Sequence, residues 1–215
     1  MIEHVYQRAA EARGLCRVVV LTDDERIAQA VEDFGGAWEM TPADCASGTD
    51  RIAFAARAWN AQAVVNIQGD EPLIDPDGIS RVARHLAEHP EDPVVTLAAP
   101  AAPGELDDPN AVKVVLALDG AALYFSRAAI PHRRQPSQPG IAAPLKHLGI
   151  YGYQKATLLR LAGLPPSPLE RSESLEQLRA LENGIGIRVL TVERGSFGVD
   201  TEDDLERVEA MLKTA

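Results

Sequence analysis

Short apolar runs alternate with amphipathic segments along most of the chain. The apolar, β-branched runs that predict strands lie at 17–22, 37–40, 64–68, 93–97 and 187–192. Between them, apolar residues recur at helical spacing over 1–13, 24–34, 49–59, 75–86 and 201–212. Such a β-α-β-α alternation is typical of a mostly parallel sheet with helices on both faces, so we predict a doubly wound α/β fold.

The stretch from 112 to 153 departs from this alternation. Segments 112–118 and 121–126 flank Asp119-Gly120, which predicts a β-hairpin with a type I′ turn. A loop rich in Pro, Gly, Ser and Gln is predicted at 132–144, a strand at 148–153, and one continuous helix at 172–182. We interpret 112–153 as an insertion on one sheet and the chain, 1–215, as a single domain.

The charge and the cysteines exclude several classes of protein. The formal net charge is −11 at pH 7, and such a surface repels nucleic acid and anionic membranes. No run of 18 apolar residues predicts a membrane span. Cys16 and Cys45 lack the spacing of a zinc or disulfide motif, which predicts reduced thiols in the cytoplasm. We therefore expect a small-molecule substrate.

An acidic pair follows the strand predicted at 64–68. Gln68-Gly69 ends the apolar run, and Asp70-Glu71 comes next. Ligands of open α/β sheets bind outside the carboxyl ends of the strands, and carboxylates there suit Mg²⁺ bound to substrate phosphates. Asp200, after the last strand, is a candidate second ligand, although it also fits the cap of the final helix. This pattern indicates phosphoryl or nucleotidyl transfer.

A second candidate site lies at the predicted start of the helix near residue 49. Ser47, Gly48, Thr49 and Arg51 combine small hydroxyl side chains with glycine. Backbone N–H groups at a helix start can receive an anion or the edge of a base. An ordinary helix cap explains the same spacing equally well.

A third candidate site is one face of the predicted strand at 148–153. It carries His147, Gly149, Tyr151 and Tyr153, and the two glycines 149 and 152 leave room beside it, which favours a sugar-sized pocket. Further candidate contacts are Arg127 and the helix residues Glu173, Glu176, Gln177 and Arg179. Charge pairing on a solvated helix face explains the helix residues as well. Lys113 is expected to point to solvent.

Seven short motifs carry a resemblance that covers nearly the whole chain. They are S-G-T-D-R at 47–51, V-N-I-Q-G-D-E-P at 65–72, P-N-A-V-K-V-V at 109–115, A-L-Y-F-S-R at 122–127, K-H-L-G-I-Y-G-Y at 146–153, E-S-L-E-Q-L-R at 173–179 and G-V-D-T-E-D-D-L at 198–205. Together they resemble the CMP-Kdo synthetases (3-deoxy-manno-octulosonate cytidylyltransferases). The motif at 68–72 is shared with other cytidylyltransferases, whereas those at 147–153 and 175–179 are together specific to this family.

The resemblance implies a nucleotide-diphospho-sugar transferase fold with a small dimerisation hairpin, and hence a homodimer. It implies the reaction of CTP with 3-deoxy-D-manno-octulosonate (Kdo) to give CMP-Kdo and pyrophosphate, for lipopolysaccharide synthesis in the cytoplasm. By similarity, Asp70 and Asp200 would hold Mg²⁺. Near the cytidine would lie Ser47, Gly48, Thr49 and Arg51, and the Kdo pocket would be lined by Gln68, Arg127, His147, Tyr151, Glu173 and Gln177.

One feature of that family is not present in this sequence. The family opens with a strand and a basic, glycine-containing loop that grips the triphosphate, and Met1-Ile2 matches the family just after that loop. We expect the true start to lie upstream, and CTP turnover by this chain to be absent or below about 1 s⁻¹. The alternatives are a non-catalytic chain that binds a sugar acid or a nucleotide, and a cytidylyltransferase for another 2-keto sugar acid.

Overall fold

Helices and strands alternate along the computed structural model, which describes residues 1–134, 142–193, 195, 199 and 202–212. In chain order its elements are α1 (Ile2–Glu11), β1 (Val20–Thr22), α2 (Glu25–Asp33), β2 (Trp38–Met40), α3 (Gly48–Ala56), β3 (Ala63–Asn66), α4 (Pro76–Glu88), β4 (Val94–Pro100), β5 (Lys113–Leu116), β6 (Ala122–Ser126), β7 (Leu145–Gln154), α5 (Lys155–Ala162), α6 (Pro168–Glu173), α7 (Gln177–Glu182), β8 (Ile187–Thr191) and α8 (Glu202–Leu212). The predicted α/β class is confirmed. Most of the loop predicted at 132–144 lies outside the described residues.

The long strand β7 organises the main sheet, whose order is β6-β5-β7-β4-β8 with β3 also paired to β7. Along one edge β7 pairs antiparallel with β4, and it also pairs antiparallel with β5 at its start and with β3 at its end. Strands β3, β4 and β8 consequently run in the same direction, and β4 and β8 pair in parallel. The sheet is thus mixed where we expected mostly parallel pairing, because β7 enters it in the reverse direction.

Strands β1 and β2 form a separate parallel pair in the part of the chain that the structure describes. Both strands are shorter than the runs predicted at 17–22 and 37–40, and each covers the last three residues of its run. Helix α2 covers this pair, and its N-cap is Asp24, whose side chain accepts a hydrogen bond from the backbone N of Arg26.

Two apolar cores lie on opposite faces of the main sheet. Val94 belongs to the core that α3, α5 and α7 cover, whereas its neighbour Val95 belongs to the core beneath α4. Successive side chains of a strand point to opposite faces, so these two residues divide the layers. Since β4 is covered on both faces, its residues from Val94 to Ala99 are all buried.

Three local predictions are wrong, each for a local reason. The helix expected at 172–182 is divided into α6 and α7 by Ser174, whose backbone is left-handed at φ 52°. The hairpin of β5 and β6 is present, but of its turn residues Gly120 has a positive φ and Asp119 does not, which rules out type I′. Lys113 is buried instead of solvated. Within the described ranges, no helix has the length and hydropathy that a membrane span requires.

Candidate active site

The start of α3 is held by its own cap and by a side chain from a distant part of the sequence. Ser47 is the N-cap, and its Oγ accepts a hydrogen bond from the backbone N of Asp50 at 3.1 Å. The hydroxyls of Ser47 and Thr49 each donate to the Glu176 carboxylate at 3.0 Å. The predicted cap is confirmed, and the capping residue also contacts Glu176, the residue before α7.

A cavity of about 160 Å³ lies between the start of α3, α7 and the sheet. Five of the predicted site residues line it: Gly48, Thr49, Gln68, Tyr151 and Gln177. The helix candidates Glu176 and Arg179 line it as well, together with Tyr153 and with Asn66, which sequence reasoning missed. Asn66 ends β3 and pairs in register with Tyr151, so the strand pairing that brings it here is invisible in a local sequence pattern.

Several polar groups at this cavity have no partner of their own. No hydrogen bond among the described residues involves the side-chain amides of Asn66, Gln68 or Gln177. The hydroxyl of Tyr151 is buried and also unpaired in that part of the chain. Buried polar groups in native proteins are nearly always paired, so the amide of the buried Asn66 and the buried hydroxyl of Tyr151 indicate a place for a polar ligand or ordered water. The exposed Gln68 and the half-buried Gln177 add further donors and acceptors beside it.

His147 lies beside Tyr151 on the same face of β7. Its ring stacks edge-on to Phe125 at 5.2 Å and lies 5.2 Å from the ring of Tyr151. Thr96 Oγ1 is 2.7 Å from the Ile150 carbonyl, to which it donates, and it thus accepts from His147 Nε2 at 3.0 Å. Burial lowers the pKa of His147 to about 3, so the ring is neutral at physiological pH.

The two glycines of β7 do not share the role that we predicted for them. A Cβ on Gly149 would meet Glu71 Oε1 at 3.6 Å, which is an ordinary contact on the side of the acidic loop. A Cβ on Gly152 would lie 2.5 Å from both Leu86 and Val82 of α4. Gly152 therefore allows α4 to approach the sheet on the opposite face, and the expectation that it leaves room for a sugar is wrong.

Arg127 and Glu173 lie together, as expected, but they are not part of the cavity wall. The Arg127 guanidinium donates to the carbonyls of Glu173 and Pro109, both at 2.9 Å. The Glu173 carboxylate accepts from Ser126 Oγ at 2.6 Å and from the Arg127 backbone N at 3.0 Å. Burial opposes ionisation of Glu173, yet these hydrogen bonds hold its pKa below the usual value.

Lys113 links the loop before β5 to the backbone of Arg127. Its Nζ donates to the carbonyls of Asp108, Ala111 and Arg127 at 2.5 to 2.7 Å. Desolvation lowers the pKa of this buried amine. Lys113 is thus a structural clamp, and three carbonyls around one ammonium explain why it can be buried.

Arg51 is a predicted site residue that the structure places elsewhere. Its guanidinium pairs with Asp23 at 3.1 Å, in the loop after β1, and donates to Thr41 Oγ1. It therefore links α3 to β1 and β2 and does not line the cavity.

Asp70 lies exposed in the loop after β3, at the carboxyl end of the strand as predicted. Its carbonyl accepts a hydrogen bond from the backbone N of Val199 at 2.9 Å, so the two distant segments meet there. Asp200 itself lies outside the described residues. Among the residues that are described, no three His, Cys, Asp or Glu side chains form a metal-binding group, and the metal pair stays a prediction.

Comparison with known proteins supplies the family of this site. The family model described as cytidylyltransferase matches residues 1–190. A 3-deoxy-manno-octulosonate cytidylyltransferase of Syntrophotalea carbinolica is 52% identical over 99% of this chain and 88% of the relative. The chain belongs to the CMP-Kdo synthetase family. A relative of the same name from Solibacter usitatus is 50% identical over 100% of this chain and 85% of its own length.

Solved structures agree with this membership of the CMP-Kdo synthetases. A CMP:2-keto-3-deoxy-manno-octonic acid synthetase complexed with CTP superposes with a TM-score of 0.94 at 42% identity, over 99% of this chain and 87% of that one. A glucose-1-phosphate thymidylyltransferase described as putative, from Bacillus anthracis, gives a TM-score of 0.66 at 14% identity over 98% of this chain and 81% of that one. The second likeness shows the nucleotidyltransferase fold alone.

Proposed function

We propose that this protein transfers the cytidylyl group of CTP to Kdo, with release of pyrophosphate. The observation that carries the proposal is the cavity lined by Asn66, Gln68, Tyr151 and Gln177, whose polar groups have no partner among the described residues. Hydroxyl-rich sugar acids supply such groups with donors and acceptors at once. Membership of the CMP-Kdo synthetases favours Kdo over other sugar acids.

The two substrates would approach from the two sides of this cavity. Ser47, Gly48 and Thr49 at the start of α3 offer backbone N–H groups and hydroxyls to the nucleotide. Gln68, Tyr151 and Gln177 would face the sugar acid. By the family resemblance Arg127 would pair with its carboxylate, although here its guanidinium donates to backbone carbonyls outside the cavity wall. The protein then brings the anomeric hydroxyl of Kdo in line with the α-phosphorus, so catalysis is mainly positioning and charge stabilisation.

Mg²⁺ is the cofactor that we propose, held by Asp70 and Asp200. Carboxylate oxygens suit this cation, and the Val199–Asp70 hydrogen bond supports proximity of the two segments. When bound, Mg²⁺ would neutralise charge on the triphosphate. This neutralisation matters because the chain itself carries a net charge of −11.

We also propose that the protein is a cytoplasmic homodimer joined through the β5–β6 hairpin. Leu118 in the turn and Leu123 on β6 are exposed apolar side chains. Among the described strands β6 forms a ladder only with β5. Ala121, just before β6, bridges to Arg188 of β8, so the part of the outer edge that remains for a second copy lies within Ala122–Ser126. Sedimentation of the protein and of its Leu123→Lys variant tests this: we expect a dimer and a monomer, respectively.

The experiment that tests the proposed function is an incubation with CTP, Kdo and Mg²⁺. CMP-Kdo is measured by mass spectrometry, and binding of CTP and of Kdo by calorimetry. Asp70→Asn should remove Mg²⁺-dependent product, whereas Asp33→Asn at the exposed end of α2 should not. Binding of neither substrate, with no product, would overturn the proposal. Preference for another 2-keto sugar acid in a panel would replace Kdo, and binding without product after addition of metal would indicate a non-catalytic binder.

A further inference from the structure

Glu176 joins two parts of the site that are far apart in the sequence. It precedes α7, and its carboxylate oxygens are directed at the start of α3. Oε1 lies 3.0 Å from Ser47 Oγ and Oε2 lies 3.0 Å from Thr49 Oγ1, across 129 and 127 residues of chain. One carboxylate thus accepts both hydroxyls of the segment that we assign to the nucleotide.

The two hydroxyls are not held equally. Ser47 has one hydroxyl proton, yet Asp50 Oδ2 at 2.9 Å and Glu176 Oε1 at 3.0 Å are both within reach of it. The proton serves one carboxylate at a time, so Asp50 competes for this bond. Thr49 directs its own proton at Glu176 Oε2, and no second carboxylate among the described residues competes for that proton. The Thr49–Glu176 bond is therefore the firmer of the two.

The turn that contains Glu176 is also hydrogen-bonded to Arg127, a residue that the family resemblance assigns to the sugar acid. Its left-handed residue, Ser174, and the preceding Glu173 offer their carbonyls to the Arg127 guanidinium, at 3.4 and 2.9 Å. Gln177, the residue after Glu176, lines the cavity. The turn therefore contacts both proposed substrate regions.

We propose that Glu176 is a positioning residue that fixes the nucleotide-binding start of α3 against the sugar-binding side of the cavity. The ligand part of this inference rests on the proposed function, whereas the ordering of α3 does not. A carboxylate that accepts two hydroxyl protons makes charge-assisted bonds, which are stronger than bonds between neutral groups. Arg179, 3.8 Å away and buried, limits the cost of placing this charge beside the cavity.

Hydrogen exchange and calorimetry test the inference on the whole chain. In Glu176→Ala we expect faster exchange at the amides of Asp50 and Arg51, which bond to Oγ and to the carbonyl of Ser47, and unchanged exchange later in α3. We expect about tenfold weaker CTP binding, which corresponds to losing about one such bond. Glu176→Gln, which keeps one acceptor oxygen, should be intermediate. Glu88→Gln, at the end of α4, is the matched control and should behave as wild type.

A double variant separates positioning from general support of the fold. If Glu176 acts through Thr49, Glu176→Ala combined with Thr49→Val should bind CTP no more than about twofold more weakly than the worse single variant. Additive losses, or unchanged exchange at Asp50 and Arg51, would overturn the inference. So would faster exchange spread over all of α3, because that indicates a merely structural role. If the wild type binds neither CTP nor Kdo, the proposed function fails, and exchange at Asp50 still decides the positioning.

Discussion

The buried imidazole of His147 gives the protein a specific dependence of stability on pH. Its Nε2 donates to Thr96 Oγ1, and burial lowers its pKa from 6.5 to about 3. In the unfolded chain the same ring has an ordinary pKa near 6.5. Between these two values the unfolded state binds a proton that the folded state does not.

The sign and the size follow from this difference in proton binding. Stability rises with pH wherever the unfolded state binds more protons, so His147 costs nothing above pH 7 and destabilises the fold as pH falls from about 6.5 towards 3. At full effect the slope is about 1.4 kcal/mol per pH unit. Between pH 8 and pH 5 the fold should lose about 2 kcal/mol through His147 alone.

Urea unfolding at pH 5, 6, 7 and 8 measures this loss. His147→Gln keeps an N–H donor for Thr96 but has no titrating group at this position. The loss of unfolding free energy between pH 8 and pH 5 should therefore be smaller in the variant than in the wild type by about 2 kcal/mol. His4→Gln, on the exposed side of α1, is the control and should keep the wild-type slope. Equal slopes for wild type and His147→Gln would refute the argument. The chemical shifts of the His147 ring, unchanged from pH 8 to pH 5, provide a second check on the folded wild type.

Three other variants probe packing, clamping and ligand contact. Gly152→Ala should lower the free energy of unfolding by about 1–3 kcal/mol, because the added Cβ would overlap Leu86. Gly186→Ala is the control, since a Cβ there meets nothing within 4 Å. Equal losses for the two variants in urea unfolding would contradict this. Lys113→Met should lower the free energy of unfolding by about 2–5 kcal/mol, because it leaves buried carbonyls without a donor. An unchanged urea midpoint would show that water replaces the amine. Tyr151→Phe should leave stability unchanged or raise it, because the hydroxyl has no partner among the described residues. The same variant should weaken Kdo binding about tenfold by calorimetry, and unchanged affinity would place the sugar acid elsewhere.

Helices and strands were predictable where a single spacing of apolar residues extends over the whole segment. The amphipathic spacing over 75–86 predicted α4, which the structure places at Pro76–Glu88. The same reasoning wrongly joined 172–182 into one helix. The break is at Ser174, which is left-handed and whose carbonyl accepts a hydrogen bond from Arg127, 47 residues away, and such a contact leaves no local sequence pattern. The direction of β7 was not predictable either, since strand pairing is decided by partners distant in sequence.

The sequence predicted which residues are candidates for the site, but it did not predict which side chains they contact. The motifs identified Gln68, Tyr151 and Gln177, and the structure brings these three to one cavity. Arg51 has the right residue type in the right motif, but its guanidinium pairs with Asp23 after β1. The burial of Lys113 depends on three carbonyls that only the folded loop brings together, so local sequence predicts solvent exposure.

The neutral state of His147 affects how a sugar acid is selected. A neutral ring cannot attract the carboxylate of the ligand, so Arg127 remains as the predicted contact that carries positive charge. In the proposed reaction, selection among sugar acids would then fall to Asn66, Gln68 and Tyr151, whose polar groups have no partner in the part of the chain that the structure describes. A ligand that lacks a matching hydroxyl leaves such a group desolvated and unpaired, and that penalty exceeds the gain from one hydrogen bond. The cavity should therefore discriminate against deoxy analogues of Kdo more strongly than against analogues with one additional methyl group.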